Sequence, residues 1–394
     1  MKPFARDFVT DYDLGDPELN ERWDELIPDL HARCPVARSE VGEGYWVIQR
    51  YEDVKRCAID WQTFSNSSGF MVNRPEGLPY FAPGEVDPPL QTALRAALHP
   101  FLTPKMAKEL EPTIRAHADA LIDSFIDTGE VELVSQFANT LPQIVFSAEV
   151  AGMDAADLPY LMQCFDLTGP MEERGIGFAK GMAKIAEYLE ERRSQPARGD
   201  IVDALLAFQH EGYTDADKIG TMSQLTIGGV GTTGYAFSGG MYHLATHPQD
   251  RKALAADPKL LPRAIEEFLR LFLGAPNMAR RASVDTEISG VKIAAGDRVL
   301  LSFGAANRDP KVVDGDPSVV DIERKPIGHL GFGAGVHRCV GSPLALAILR
   351  VGFEQFLSRI GEFRVPDGFV PVYETGNTRH MSALPLRFAP GGSR

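Results

Sequence analysis

The residues with the clearest chemical potential lie in a glycine-rich segment, residues 329–341, that holds Cys339. Three alternating glycines precede the cysteine, and glycine allows a backbone to turn sharply and to approach another group closely. A helical pattern over residues 344–358 follows directly. The sulfur is therefore expected at a helix N-terminus, where thiolate is favoured over thiol. A thiolate is an electron-rich ligand for iron.

From the residues of this segment alone, a structural cysteine remains an alternative, whereas a zinc site does not. An isolated cysteine beside a glycine-rich turn is more often a buried structural residue than a ligand. A zinc site built on His337 and Cys339 would need two further ligands, and none stands at a usable spacing.

A second unusual feature is a cluster of glycines inside a long predicted helix. The pattern predicts one helix over residues 215–246, about 48 Å long, with four glycines between positions 228 and 234. Glycine in a helix interior costs about 1 kcal/mol relative to alanine, so the cluster needs a reason. A close helix crossing would supply one. A phosphate-binding loop is excluded because no lysine follows.

A third feature is the pair Glu267 and Arg270, three residues apart on a predicted helix. Side chains at this spacing share one helix face and can pair. On its own, such a pair is more often a solvated surface pair.

The residues around the cysteine closely resemble the haem-ligand loop of the cytochrome P450 family. All six specified positions match, namely Phe332, Gly333, Gly335, His337, Cys339 and Gly341. The resemblance continues in the expected chain order, with Glu267 and Arg270 similar to the family's Glu-x-x-Arg motif and residues 306–310 similar to another family segment. It implies a soluble, bacterial-type haem-thiolate monooxygenase with haem b held by Cys339.

The same resemblance assigns roles to further residues. Arg324 would join Glu267 and Arg270 in a structural triad, and Thr232 would stand in a groove for dioxygen and hold a proton-carrying water. The family usually has an acid immediately before that threonine, and here the residue is Gly231. The residues expected to contact the haem or its propionates are Gln91, Arg95, Gly228, Gly229, Arg280, Phe332, Gly335, His337 and Gly341.

The resemblance implies the substrate and the electron-donor partner less specifically than it implies the haem site. The pocket would involve the proline- and glycine-rich segment 66–90, the segment near 160–180, the long helix and two strand-like pieces. The candidate contacts are Phe70, Met71, Phe165, Val230, Thr233, Met278 and Thr378. They suggest a small, mostly apolar or aromatic organic substrate that is hydroxylated or oxidatively dealkylated. Because the sequence has no flavin or iron–sulfur motif, two electrons would come from a ferredoxin or flavodoxin with its reductase.

Two alternatives to that function stay open. The missing acid at Gly231 suggests a peroxide-driven or otherwise atypical haem-thiolate oxidase. A non-catalytic haem or partner-binding module on the same fold is a second alternative, against which the presence of both Cys339 and Thr232 argues.

The predicted elements fit the mainly α fold that the resemblance implies, with a smaller β-rich region and a long central helix over the haem. A chain of 394 residues allows two domains, but we expect a single domain over residues 1–394. Its β-rich parts are predicted near 36–50, 284–300 and 372–388. Its helical body is predicted over about 90–282 and 343–358. Segment 66–90 is predicted to be a loop or lid, because prolines and glycines are dense there.

The composition limits which classes of partner and which cellular compartment are expected. The net charge of −14 argues against general nucleic-acid binding, which needs a basic face. No apolar run approaches the ~18 residues that a membrane span requires. The first residues lack the layout of a signal peptide, and the four cysteines form no disulfide framework. We therefore expect a cytoplasmic protein.

Overall fold

The computed structural model describes residues 3–75, 77–165, 171–374 and 376–392. Most of this part of the chain is helical. The α-helices, in chain order, are α1 Pro17–Glu21, α2 Trp23–Arg33, α3 Tyr51–Ile59, α4 Leu90–Leu98, α5 Pro104–Asp123, α6 Thr140–Gln143, α7 Leu158–Cys164, α8 Met171–Ser194, α9 Ile201–Ala207, α10 Asp215–Thr246, α11 Pro248–Ala256, α12 Leu261–Leu271, α13 Phe303–Ala306 and α14 Ser342–Arg359.

Shorter helical turns join these helices. Those of the π type are Val134–Ala138 and Ile144–Val150, and those of the 3₁₀ type are His99–Phe101, Ile126–Thr128, Ala155–Asp157, Pro258–Leu260 and Gly335–His337.

The strands are short and form four small sheets among the described residues. They are β1 Val36–Ser39, β2 Tyr45–Ile48, β3 Phe64–Ser65, β4 Glu130–Glu132, β5 Asn277–Ala282, β6 Thr286–Ile288, β7 Val291–Ile293, β8 Arg298–Ser302, β9 Phe363–Arg364, β10 Tyr373–Glu374, β11 His380–Met381 and β12 Pro385–Phe388. The largest sheet has the order β1-β2-β8-β5-β3. Its β2 and β8 run parallel, and the neighbouring pairs run antiparallel.

The helix α10 runs through the main hydrophobic core, and its ends are set by local chemistry. Thr214 and Asp217 form a reciprocal capping box at its start, which satisfies backbone N–H groups that have no partner inside the helix. Its last residue, Thr246, is followed closely by Pro248, which begins α11. The predicted bounds of this helix are confirmed.

Two glycines near the end of α10 allow aromatic residues to pack against its backbone. A Cβ atom at Gly240 would lie 2.6 Å from Phe268 and 2.7 Å from Phe353, and one at Gly239 would lie 2.4 Å from Phe272. Phe268 lies on α12 and Phe353 on α14. The close approach therefore joins three helices, and it explains part of the glycine content of α10 by packing.

The predicted β-rich and helical ranges correspond to the observed elements in part. The expected β-rich ranges contain β1, β2, β6, β7 and β10 to β12. The expected helical body was too long, because β4 and β5 lie inside it; pairing with distant strands, β12 and β8 respectively, decides their conformation. Residues 166–170, within the predicted pocket segment near 160–180, lie outside the described residues. Among the described residues, none of the helices combines the length and apolar composition needed to cross a bilayer.

Gly240→Ala should destabilise the fold by about 1–3 kcal/mol, because an added methyl group forces Phe268 or Phe353 away. The matched control is Gly175→Ala on α8, where an added Cβ meets no atom within 4 Å in the part of the chain that the structure describes. That change should stabilise by about 0.5–1 kcal/mol. Urea unfolding of both variants measures the difference, and equal effects would contradict the packing account.

Candidate functional site

Cys339 lies at the end of a tight loop that glycines shape. Gly333 and Gly335 have φ angles of 67° and 68°, in the left-handed region that glycine favours. The Cys339 N–H donates to the Phe332 carbonyl at 2.8 Å. Helix α14 begins at Ser342. The loop is therefore closed by its own backbone and presents the sulfur three residues before a helix, as predicted.

The environment of the sulfur is less simple than the sequence indicated. Cys339 is exposed, yet protein surrounds it closely enough that burial raises the pKa of its thiol. The N–H groups of Gly341 and Ser342 and the guanidinium groups of Arg95 and Arg338 oppose that rise. The helix start acts in the predicted direction, since the N–H groups of Gly341 and Ser342 lower the pKa of the thiol, while desolvation acts against them. A metal ion at the sulfur would displace the proton.

Helix α4 holds the cysteine loop on both sides of His337. The Gln91 amide nitrogen donates to the Val336 carbonyl at 2.5 Å, and Arg95 Nη1 donates to the Arg338 carbonyl at 2.8 Å. Both side chains were predicted to face propionates. Their observed bonds instead go to loop carbonyls, which leaves further N–H groups on the Arg95 guanidinium, since that group has five donors.

Two buried cationic or basic side chains near the loop have incomplete hydrogen bonding. Arg280 is 5% exposed, and its Nη1 donates to the carbonyl of the adjacent residue. Neither ring nitrogen of His337 has a hydrogen-bond partner among the described residues. Burial lowers the pKa of Arg280 to about 10 and also lowers the pKa of His337, and Asp87 opposes both shifts. Asp87 Oδ1 lies 3.7 Å from His337 Nε2, too far for a hydrogen bond.

Glu267, Arg270 and Arg324 are in contact and are not a solvated surface pair. Arg270 Nη2 lies 2.7 Å and Arg324 Nε 3.0 Å from Glu267 Oε1. Glu267 is 4% exposed and Arg270 is 1% exposed. Burial acts to raise the pKa of Glu267, but the bonds from Arg270 and Arg324 outweigh it, and the pKa lies below its usual value.

The middle of α10 presents an open face beside Thr232. Cβ atoms at Gly228 and Gly231 would meet no atom of the described residues within 4 Å. The Thr232 hydroxyl donates to the Gly228 carbonyl at 2.6 Å. On another side, a Cβ at Gly274 would lie 2.8 Å from Thr232 Cβ. Only glycine therefore fits at 274, and these two glycines of α10 border open space instead of a packed neighbour.

Three predicted substrate residues lie together. The Phe70 carbonyl accepts hydrogen bonds from the Ala279 N–H at 2.7 Å and from the Asn377 side chain at 2.8 Å. Met278 and Thr378 are the chain neighbours of these two donors. Phe70, Met278 and Thr378 are half-buried, as residues that line a pocket can be.

The remaining substrate candidates are spread over several elements. Val230 is half-buried on α10, Met71 follows Phe70, and the Phe165 ring lies 5.8 Å from the Phe178 ring. Thr233 is 4% exposed and packs in the core near Phe137, Phe237, Ile348 and other apolar residues. Its contact with substrate stays a prediction.

Sequence reasoning missed four residues that the structure places at or near the site, namely Glu85, Asp87, Gly274 and Asn377. Asp87 was visible only as the residue before two prolines, and Gly274 only as a glycine after α12. Glu85 and Asn377 carry no local signal, because Glu85 meets Arg74 only through the fold of an irregular loop and Asn377 meets a residue far along the chain.

Comparison with known proteins gives a consistent result. The model of the cytochrome P450 family matches residues 167–368. Mycinamicin IV hydroxylase/epoxidase from Micromonospora griseorubida is 33% identical over 352 residues, which cover 86% of this chain and 88% of that protein. Nocardicin C N-oxygenase from Nocardia uniformis subsp. tsuyamanensis is 31% identical over 393 residues, covering 95% and 98%. The chain belongs to the cytochrome P450 family.

A solved structure agrees with this assignment. A cytochrome P450 from Chondromyces apiculatus superposes with a TM-score of 0.84 at 29% identity, covering 98% of this chain and 100% of that chain. The predicted family and the mainly α fold are confirmed. The protein is a cytochrome P450 monooxygenase, an oxidoreductase, and its cofactor is haem b.

The observed residues fit that cofactor. Haem b has two propionate carboxylates, and the unpartnered nitrogens of His337 and the buried guanidinium of Arg280 are suited to bind such groups. The open face at Gly228 and Gly231 admits a flat group close to the α10 backbone. In this cytochrome P450, Cys339 would hold the iron.

Glu267→Gln should lower the free energy of unfolding by about 3–5 kcal/mol, since it leaves two buried guanidinium groups without their carboxylate. The control is Glu266→Gln. That neighbouring carboxylate is 37% exposed and lies 3.1 Å from His329, so its loss should cost less than about 1 kcal/mol. Urea unfolding measures both, and similar losses in the two variants would count against a buried triad.

Proposed function

We propose that this cytochrome P450 uses dioxygen and two electrons from an external donor to hydroxylate or oxidatively dealkylate a small, mostly apolar or aromatic molecule. The observation that carries the proposal is the Thr232 hydroxyl, which lies in the middle of α10 beside the open face at Gly228 and Gly231. Bound haem, ligated by a thiolate, supplies the oxygen-activating chemistry. The chain's own side chains hold the haem, orient water and shape the pocket.

The hydrogen bond of Thr232 defines what its side chain can do. Because the hydroxyl proton is donated to the Gly228 carbonyl, the oxygen lone pairs remain available to accept a hydrogen bond from water. Thr232 can therefore hold a water in the groove. Gly231 has no side chain to relay protons, so protons would reach that water from solvent or from the substrate.

Arg95, Arg280 and His337 would bind the propionates, and Cys339 would bind the iron. Gln91 would act indirectly, because its side chain holds the Val336 carbonyl of the cysteine loop. With these residues, α4, β5 and the cysteine loop all meet the cofactor, so the haem would hold separate elements together.

The substrate class is supported by the pocket candidates and by the relatives. The Phe70 carbonyl is bonded to Ala279 and Asn377, the chain neighbours of Met278 and Thr378, and Phe70 and Met278 are apolar. The relatives' names concern different organic molecules, among them mycinamicin IV and a steroid. These names support an organic substrate without selecting one.

The electron donor would be a ferredoxin or flavodoxin with its reductase, bound near Cys339. Arg338 lies next to the cysteine and is exposed, and its Nη1 donates to the Ser342 hydroxyl at 3.0 Å. A positive group on that face suits an acidic partner despite the net charge of −14. The cytoplasmic location inferred from the sequence stays a prediction.

A peroxide-driven oxidase is the second candidate, favoured by Gly231. Comparing product formed with peroxide alone against product formed with reductant and dioxygen separates the two. Faster turnover with peroxide alone would favour the second candidate over the first.

Thr232→Val should lower product per NADPH about tenfold or more, and raise hydrogen peroxide release, because the water loses its acceptor. The assay uses a surrogate ferredoxin and reductase with an aromatic compound selected by its Soret shift. Thr232→Ser should restore coupling.

Thr226→Val is the matched control, since the Thr226 hydroxyl makes the same bond to the carbonyl four residues earlier, at 2.9 Å, but is buried. Tight coupling in Thr232→Val, or equal uncoupling in the control, would contradict the proposed role of Thr232.

A further inference from the structure

A buried carboxylate organises the proline- and glycine-rich loop over residues 66–90. Glu85 is fully buried and forms an ion pair with Arg74, whose Nη2 lies 2.9 Å from Oε2. Arg74 Nε also donates to both carboxylate oxygens, at 3.1 Å and 3.0 Å. A buried ion pair is costly unless its remaining hydrogen-bond positions are filled.

The remaining positions are filled by the backbone of two phenylalanines. The N–H of Phe70 donates to Glu85 Oε1 at 3.3 Å, and the N–H of Phe81 donates to Oε2 at 3.1 Å. The centroids of the two rings lie 6.2 Å apart. The Phe81 ring also meets Phe178 of α8 edge-on at 5.6 Å. One carboxylate thus places two adjacent rings and, through Phe81, connects the loop to α8.

The peptide of Phe70 is held from its other side as well. Its carbonyl accepts from the Ala279 N–H and from the Asn377 amide, whose nitrogen also lies 3.2 Å from the Asn277 carbonyl. Glu85 and Asn377 therefore fix the backbone of Phe70 at both its N–H and its carbonyl. This constraint restricts where the Phe70 ring can lie.

A short stretch of chain connects this point to the groove. Arg379, two residues after Asn377 and about 7 Å along an extended chain, donates its N–H to the Gly274 carbonyl at 3.0 Å. Gly274 packs directly on Thr232. The backbone of Phe70 is thus linked to Thr232 through residues 377–379 and Gly274.

We propose that Glu85 and Asn377 are positioning residues that set the Phe70 ring in the substrate pocket and so determine which apolar groups fit beside Thr232. This proposal rests on the proposed function, because it takes the space at Thr232 as the substrate pocket. A carboxylate that only stabilised the loop would affect folding and would leave ligand selectivity unchanged.

The test uses purified haem-loaded protein and two probes, imidazole and phenylimidazole, titrated by their Soret shifts. Imidazole needs only access to the iron, whereas phenylimidazole must also place an apolar ring in the pocket. The measured quantity is the ratio of the two dissociation constants. Glu85→Gln, which keeps the side-chain shape but removes the charge, should lower the preference for phenylimidazole about tenfold.

Asn377→Ala keeps the Arg74–Glu85 pair and releases the other side of Phe70, so it should change the ratio in the same direction. Glu43→Gln is the matched control, because the Glu43 side chain is 84% exposed, and its ratio should equal that of the wild type. If Glu85→Gln does not assemble with haem, the ratio for Asn377→Ala decides alone.

A double-mutant cycle identifies the residue through which Glu85 acts. In a Phe70→Ala background, Glu85→Gln should have no further effect on the ratio. An unchanged ratio in both Glu85→Gln and Asn377→Ala, or an equal effect of Glu85→Gln with and without Phe70, would overturn the proposal. A wild-type protein that gives no Soret shift with imidazole would overturn the proposed function itself, which is a different result.

Discussion

The hydrogen bonds that fix the loop before Cys339 are the constraint on which the rest of the site depends. The loop is closed by its own hydrogen bond from Cys339 to Phe332, and α4 ties its carbonyls on either side of His337. Asn307 connects it to the buried triad, since its side chain accepts from the Leu330 N–H at 2.7 Å and donates to the Arg270 carbonyl at 3.0 Å. A buried ion pair far from any reacting atom thus fixes the segment that presents the sulfur.

Three ionisable side chains near the site, Arg280, His337 and Cys339, would each be paired with a group of the cofactor. Burial lowers the pKa of Arg280 and His337 and raises that of Cys339, so burial disfavours the charged form of each group. Propionate carboxylates beside the first two, and a metal ion at the third, would oppose those shifts. Haem binding is therefore expected to stabilise the fold as well as to enable the chemistry.

The sequence predicted the parts of the site that depend on short, fixed spacings. The cysteine motif, the pairing of Glu267 with Arg270 and the bounds of α10 all follow from residues close together in the chain. The remaining features depend on long-range packing. Asn377 meets Phe70 across 307 positions, and Thr233 differs from Thr232 only in which side of α10 it faces. The pKa of Cys339 is a sum over its surroundings, which no local motif contains.

The most direct test of the account is the spectrum of the reduced carbonyl complex of purified Cys339→Ser protein. If the Cys339 sulfur ligates the iron, the red-shifted Soret band typical of thiolate ligation is present in the wild type and absent from this variant. Cys34→Ser, which changes a half-buried cysteine whose sulfur contacts the Val36 carbonyl, should keep the band. An unchanged band in Cys339→Ser would contradict the central claim.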